Sequence, residues 1–520
     1  MVADAAKNRL IRQRVFRSTL ANYAGQFVTL ATGFLLTPFV LRHIGALDYG
    51  LWALVGALAT YGTLFDFGIS GAVIKYVAEY HTRGEHEKAH SLVATALRLY
   101  TVFGLVLIVL SVIIAPIFPD LFNVPADERA TATWVMLLSG IGIGISIPCS
   151  TPAAVLRGLQ RFDLVNLISI SGTLLVTATT VTVLLLGGGV IAMAAVNIPL
   201  MLIMQAPSIW MVKRIAPELQ YGWRGASRKF VRTVIGYSSS IFIVQVSGRV
   251  QTKTDEIVIG IFLPVTAVTP YAIARRLSEI ANLLTNQFMK VLLPLASELH
   301  TENDRGRLRE LYITGTRLSL AIFLPIGGTL ILLARSVLSV WVGAAYAPYA
   351  HIVIILTLAS LIDTSLWPAG AVLQGMGRYR PIALLSSGTA LANLILSLAL
   401  VRSVGLTGVA LGTLIPTTVV SFGLAFPYAM RSIGVTADEA LKRIFLPALL
   451  PAVPMAVMLY TLERIVAPAS LFSVAGIACV GLLVYALGYL SLGATELERQ
   501  ICHGLVLNTI RFARAHLRRS

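Results

Sequence analysis

Charge is what this 520-residue chain has least of: Asp, Glu, Lys and Arg together make up 12% of it, against 56% hydrophobic residues. Soluble domains usually carry about 25% charged residues, so a water-soluble globular protein is excluded. Cysteine is nearly absent too. Cys149, Cys479 and Cys502 are too few and too scattered for a disulfide framework or a metal cage, and redox chemistry finds no support. Long polar stretches are also missing. The longest, about 213–233 and 297–312, are of linker size, which leaves no room for a folded extramembrane domain. A membrane glycosyltransferase or polymerase would typically carry catalytic residues on a substantial external loop, and that reading stands only as an alternative.

What is present is a series of apolar runs of about 20 residues, each closed by a charged or Gly/Pro-containing turn, the pattern of membrane-spanning helices. Barrel strands would be about 10 residues long with strict alternation. The runs predict about fourteen spans, near 19–41, 49–69, 93–118, 131–155, 165–187, 189–212, 235–262, 267–291, 313–340, 347–373, 381–402, 406–430, 444–466 and 469–493. The expected fold is an all-α polytopic membrane protein.

The formal net charge of +17 could point to nucleic acid, but the placement of the cations argues against it. Of 41 Lys and Arg, thirty-two fall on one side of the fourteen-span arrangement, including Lys7, Arg9, Arg12, Arg14 and Arg17 before the first span and Lys213, Arg214, Arg224, Arg228, Lys229 and Arg232 between the sixth and seventh. Five fall opposite: Arg42, Arg129, Arg335, Arg402 and Arg464. The positive-inside rule places both termini in the cytoplasm and requires an even number of spans. The first span has no small-residue cleavage site and is read as retained. His81, His86 and His90 share a charged loop, but their spacing does not align them on one helix face, so a solvated loop is expected and no metal site.

The chain is internally duplicated. Ala154-Val155-Leu156-Arg157-Gly158-Leu159-Gln160-Arg161-Phe162 returns 217 residues later as Ala371-Val372-Leu373-Gln374-Gly375-Met376-Gly377-Arg378-Tyr379. Gly189-Val190-Ile191-Ala192-Met193-Ala194 has its echo in Gly405-Leu406-Thr407-Gly408-Val409-Ala410. An offset of six helices keeps both copies in the same orientation, giving parallel repeats. The expected organisation is a six-helix bundle over 1–224, a second over 225–440, two additional transmembrane helices over 441–495 and a basic cytoplasmic tail over 496–520. Ile501, Leu505 and Phe512 among arginines make that tail either an amphipathic helix on the inner leaflet or a disordered basic segment.

The remaining four cations lie inside the membrane: Arg249, Lys253, Arg275 and Arg276. Each costs roughly 2.5–3.5 kcal/mol at the bilayer centre on insertion scales, so they imply a water-filled cavity suited to an anionic cargo. In the seventh span Gln245, Arg249, Lys253 and Glu256 follow one helix face, while Asp255 points about 100° away, toward a neighbouring helix. Arg275, Glu279, Asn282 and Asn286 repeat the device in the eighth, with Arg276 adjacent. Arg249 falls near mid-bilayer and the other three about 5 Å nearer the outer side. Two readings stay open. Glu256 can neutralise Lys253, and Glu279 either arginine, in a structural network; or the residual positive charge binds phosphate oxygens, which the arginine fork suits. The first span offers Asn22, Gln26, Thr29, Gly33 and Thr37 on one uncharged face, either a cavity wall or a helix-packing surface. Asp66, Asp255, Glu256 and Asp363 are candidates to bind a coupling ion, H+ or Na+. For Asp66, capping a helix break beside Gly68 and Gly71 is the alternative. Pro38, Pro148, Pro199, Pro325, Pro368 and Pro416 predict kinks.

Leu41-Arg42-His43-Ile44-Gly45-Ala46-Leu47-Asp48-Tyr49-Gly50-Leu51-Trp52 followed by Asp66-Phe67-Gly68-Ile69-Ser70-Gly71-Ala72-Val73-Ile74-Lys75-Tyr76 resembles the opening of Wzx-type polysaccharide flippases. These belong to the multidrug/oligosaccharidyl-lipid/polysaccharide exporter superfamily. Asp255-Glu256-Ile257-Val258-Ile259-Gly260 and Tyr271-Ala272-Ile273-Ala274-Arg275-Arg276-Leu277 are similar to that family's second-half motif. The resemblance covers nearly the whole chain. It implies two six-helix bundles in a V, moving an undecaprenyl-diphosphate-linked oligosaccharide from the cytoplasmic to the periplasmic leaflet of the inner membrane without enzymatic chemistry. It further implies a cationic lumen, ion antiport without a resident cofactor, and partners among membrane lipids, a polysaccharide polymerase and a chain-length regulator. Another lipid or a small amphipathic compound is the alternative cargo.

Overall fold

A computed structural model describes the backbone of residues 2–219, 222, 225–496 and 498–500, and side chains from residue 25 on apart from 228–229, 232–245, 247, 284, 287, 290–291 and 379. The amphipathic reading of the basic tail, like the side chains of Asn22 and Gln245, lies outside the described residues.

Among the described residues, eleven helical stretches are long and apolar enough to cross a membrane. The first of them holds two spans, because the helix Val2–Gly62 bends at Gly45, where φ is 80° and ψ 176°. This break falls in the gap expected between the spans at 19–41 and 49–69, and a single glycine in the left-handed region makes the turn. The helices Arg228–Phe262 and Val268–Thr301 supply the seventh and eighth spans, with 35 and 34 residues. Their charges keep their hydropathy low, and with them the count reaches the fourteen expected. Pro38, Pro148, Pro199, Pro325, Pro368 and Pro416 all lie inside helices. Large apolar side chains such as Leu105, Val109, Val112 and Ile113 stand exposed in a row on the third span, as lipid contact requires.

Contacts gather the chain into two compact units. One runs through Ile273 and takes in Ser386–Gly412; the other holds Ala274–Leu385 and the described residues from Thr413 on. These are bodies defined by contact, a different property from the sequence correspondence that divides the repeats at 224/225.

In the first unit a core formed by Val73, Leu92, Tyr100, Leu156 and Val212 lies below 2% exposure throughout. The seventh span and the turn that follows it join this unit by close approach at glycines. A Cβ at Gly50 would lie 2.6 Å from the Val265 carbonyl, and one at Gly260 would lie 2.9 Å from Phe122. In the second unit the last two spans pack on the helix Arg305–Leu332, with Leu459, Ile477 and Tyr485 in one core with Leu320 and Leu324.

The duplication seen in the sequence is present in the backbone. The helices Thr151–Gly158 and Ala350–Gly375 end in the same hydrogen-bonded turn. Arg161 N donates to Leu156 O at 2.9 Å, and Arg378 N to Leu373 O at 2.8 Å. Each terminal glycine meets a helix of its own unit. A Cβ at Gly158 would stand 3.1 Å from the Ile74 carbonyl, and one at Gly375 would stand 2.7 Å from the Ala296 Cβ.

Candidate functional site

The seventh span carries a polar seam through the first unit. Along Arg228–Phe262 the apolar residues Val258 and Ile259 are buried, and the same packing draws Asp255 and Glu256 inside, at 1% and 3% exposure. Asp255 turns off the stripe of Arg249 and Lys253, as its angular position in the helix requires. Its Oδ2 accepts a hydrogen bond of 2.6 Å from the hydroxyl of Tyr271, which begins the next span and is fully buried. Lys253 Nζ lies 3.8 Å from Glu256 Oε1, one turn away on the same helix. That separation is a loose ion pair rather than a hydrogen bond.

Arg249 is half-buried. Its backbone carbonyl receives the Tyr61 hydroxyl at 3.4 Å, while that hydroxyl also lies against Thr254 Oγ1. Among the described residues no acidic side chain is within salt-bridge distance of its guanidinium. A cation held in a membrane span without a carboxylate partner has to be met by water or by an anion from outside the chain.

The other candidates divide between the units. Asp66 ends the second span beside Phe67 and Gly68, both left-handed at φ 44° and 76°. Its Oδ1 accepts from Ser70 N at 3.1 Å, from Ser70 Oγ at 2.8 Å and from the buried Tyr100 hydroxyl, capping the first turn of Ile69–Thr82. Gln26 is half-buried. Along the same face Thr29 donates to Gly25 O at 2.9 Å and Thr37 to Gly33 O at 2.8 Å, so each hydroxyl proton is satisfied within its own helix.

In the second unit Arg275 is buried at 8% exposure and Arg276 is exposed. Asn282 clamps the eighth span to the tenth, donating to Ser360 Oγ at 3.1 Å and accepting from Thr364 Oγ1 at 3.0 Å. Asp363 accepts from Trp367 Nε1 at 3.0 Å in its own helix.

Sequence reasoning missed the partners of the acids: Tyr100 on Asp66, Tyr271 on Asp255 and Trp367 on Asp363. Tyr100 did leave a signal, since it sits in the body of a span, away from the interfacial belt where tyrosine is usual.

About fourteen spans, duplicated as two parallel six-helix repeats with two more appended, and a seventh span whose Arg249 has no acidic partner among the described residues, define a polytopic membrane protein of the exporter fold. The same fold is found in an inward-facing multidrug resistance MATE family transporter of the MOP superfamily, with TM-score 0.70 and 15% identity over 79% of this chain and 94% of that one. The lipid II flippase MurJ in its inward closed conformation also shares it, with TM-score 0.70 and 16% identity over 91% of this chain and 97% of that one. The sequence profile of the family described as "Polysaccharide biosynthesis protein" matches residues 40–351, and the chain belongs to that family. Two relatives extend the comparison. The chain is 22% identical over 76% of its length, and 80% of the relative's, to "Probable low-salt glycan biosynthesis flippase Agl15" of Haloferax volcanii. Stage V sporulation protein B of Bacillus subtilis is 29% identical over 29% of this chain and 27% of its own. The resemblance to polysaccharide transporters read from the motifs is borne out.

Proposed function

We propose that this protein is a flippase, not an enzyme, that carries an undecaprenyl-diphosphate-linked oligosaccharide from the cytoplasmic to the periplasmic leaflet of the inner membrane by alternating access. Family membership and the glycan flippase named among the relatives support the cargo class. The observation that carries the reading is Arg249, a half-buried guanidinium in a membrane span with no acidic partner among the described residues. A diphosphate supplies the missing charge, and the guanidinium fork matches its oxygens. In the first unit Lys253, one turn from Arg249 on the same helix, adds a second membrane-embedded cation.

Transport is coupled to H+ or Na+ in this reading. Of the four acids, Asp255 and Glu256 are the stronger candidates, being nearly fully buried and adjacent to the cationic stripe. The carboxylate of Asp66 is engaged in a helix cap, and that of Asp363 in a bond to Trp367. Both termini lie in the cytoplasm, and a polysaccharide polymerase and a chain-length regulator are the expected partners.

Deleting the gene in its host and assaying lipid-linked glycan by leaflet tests the reading. The glycan is expected to accumulate in the cytoplasmic leaflet, and Arg249→Glu at normal protein level should fail to restore export. Sugar transfer by the purified protein alone would overturn it.

A further inference from the structure

A second polar cluster lies in the first unit, outside the membrane-spanning segments, where two helices meet head to tail. His81 closes the helix Ile69–Thr82 and His86 opens the helix His86–Ile114. Between them Gly84 takes φ 70°, and Glu85 N donates to Tyr80 O at 2.9 Å, folding the connection tightly. The two imidazoles therefore face each other across the turn, with ring centroids 6.1 Å apart. Spacing along one helix hides this, because the histidines belong to two.

Glu218 arrives from the segment after the sixth span. Its Oε1 lies 3.3 Å from His86 Nδ1 and 3.9 Å from His81 Nδ1. The carboxylate is held there by its neighbours: Ala216 and Leu219 are buried at 0% and 2%, and Leu219 N donates to Ala216 O at 2.9 Å. Two of the nearby acids are engaged elsewhere. Glu79 pairs with Arg83 and Glu85 with Lys88, both at 3.0 Å, so Glu218 is the carboxylate directed at the histidines.

One ligand atom from each of His81, His86 and Glu218 lies within 4.8 Å of the others. We infer that these three residues bind a divalent transition ion of the zinc class, with water completing the coordination. Tetrahedral ligands at about 2.0–2.1 Å from a metal stand roughly 3.3 Å apart, so the side chains must close by about 1–1.5 Å. All three are partly exposed, at 46%, 48% and 31%, and free to do so. Two imidazoles and one carboxylate suit zinc, cobalt or nickel; calcium and magnesium prefer an all-oxygen shell. The bound ion would pin the segment after the sixth span to the turn between Ile69–Thr82 and His86–Ile114. The chain passes through that segment on its way to the seventh span.

The test is titration of the full-length, tag-free protein in detergent with Zn2+ and with Co2+. One ion per chain is expected at micromolar affinity, with a Co2+ absorption band in the visible and slowed hydrogen exchange at 213–219 when Zn2+ is bound. His86→Ala and Glu218→Gln should each weaken binding at least about tenfold, while His351→Ala binds as the wild type. The metal-free melting temperature of each variant confirms that it has folded. No binding below about 100 µM, or stoichiometric binding that both variants retain, would overturn the inference.

Discussion

Gln160 and Gly377, 217 residues apart, hold the same left-handed turn at φ 60° and 74°. Around each, the hydrogen bonds of a helix C-terminus repeat. Gln160 N donates to Arg157 O at 3.0 Å, and Gly377 N to Gln374 O at 2.9 Å. One copy thus carries a glycine where the other holds glutamine at positive φ, a conformation that costs a residue with a Cβ and that glycine takes without strain.

Gln160→Gly is therefore expected to raise stability by about 1 kcal/mol, and Gly377→Gln to lower it by a similar amount. Thermal unfolding of the purified variants in detergent reads both.

Arg249 is expected to be needed for transport and not for folding. Arg249→Glu should abolish glycan export at unchanged protein level, and Arg249→Lys, which keeps the charge but loses the fork, should reduce it about tenfold. Arg335, an exposed cation of the ninth-to-tenth connection, serves as the control: Arg335→Glu should export normally.

Tyr271→Phe removes the donor to a carboxylate of 1% exposure. Destabilisation by about 1–3 kcal/mol is expected, measured by denaturation in detergent. If Asp255 takes part in coupling, the pH or Na+ dependence of export will also shift in this variant. A Tyr271 role confined to packing would leave that dependence unmoved.

Arg317 and Glu498 fasten the segment after the last span to the helix Arg305–Leu332. Arg317 Nη2 donates to Glu498 Oε1 at 2.6 Å, Nη1 donates to Arg443 O at 3.1 Å, and the arginine is 3% exposed. Arg317→Ala leaves a buried carboxylate uncompensated and should cost about 3–5 kcal/mol. The double change Arg317→Met with Glu498→Met is expected to recover most of that loss, as a melting series on the four proteins would show.

Much of the fold was legible along the chain, because a bilayer penalises charge so heavily that spans and their ends are written in composition. The fourteen helices, the proline-bearing spans and the repeat of Ala154–Phe162 in Ala371–Tyr379 all follow from local pattern. The turns were less legible. The break between the spans at 19–41 and 49–69 is visible as a gap between apolar runs, but that the single residue Gly45 makes it is not. Within the site, helix periodicity placed Asp255 off the cationic stripe and Lys253 beside Glu256, and both relations hold. Both are matters of angle and rise along one helix.

The sequence by itself determined that the protein is an all-helical membrane protein, duplicated, with four cations lodged in its spans, since hydropathy, periodicity and repetition are properties of neighbours along the chain. Only the tertiary structure decided what each polar group meets. Tyr271 on Asp255, Tyr100 on Asp66, Glu218 before His81 and His86, and Glu498 on Arg317 join positions up to 181 residues apart. A buried polar group must find a partner, but which one it finds is set by how the helices pack, and that packing is carried by apolar contacts with no pairwise signature in one sequence.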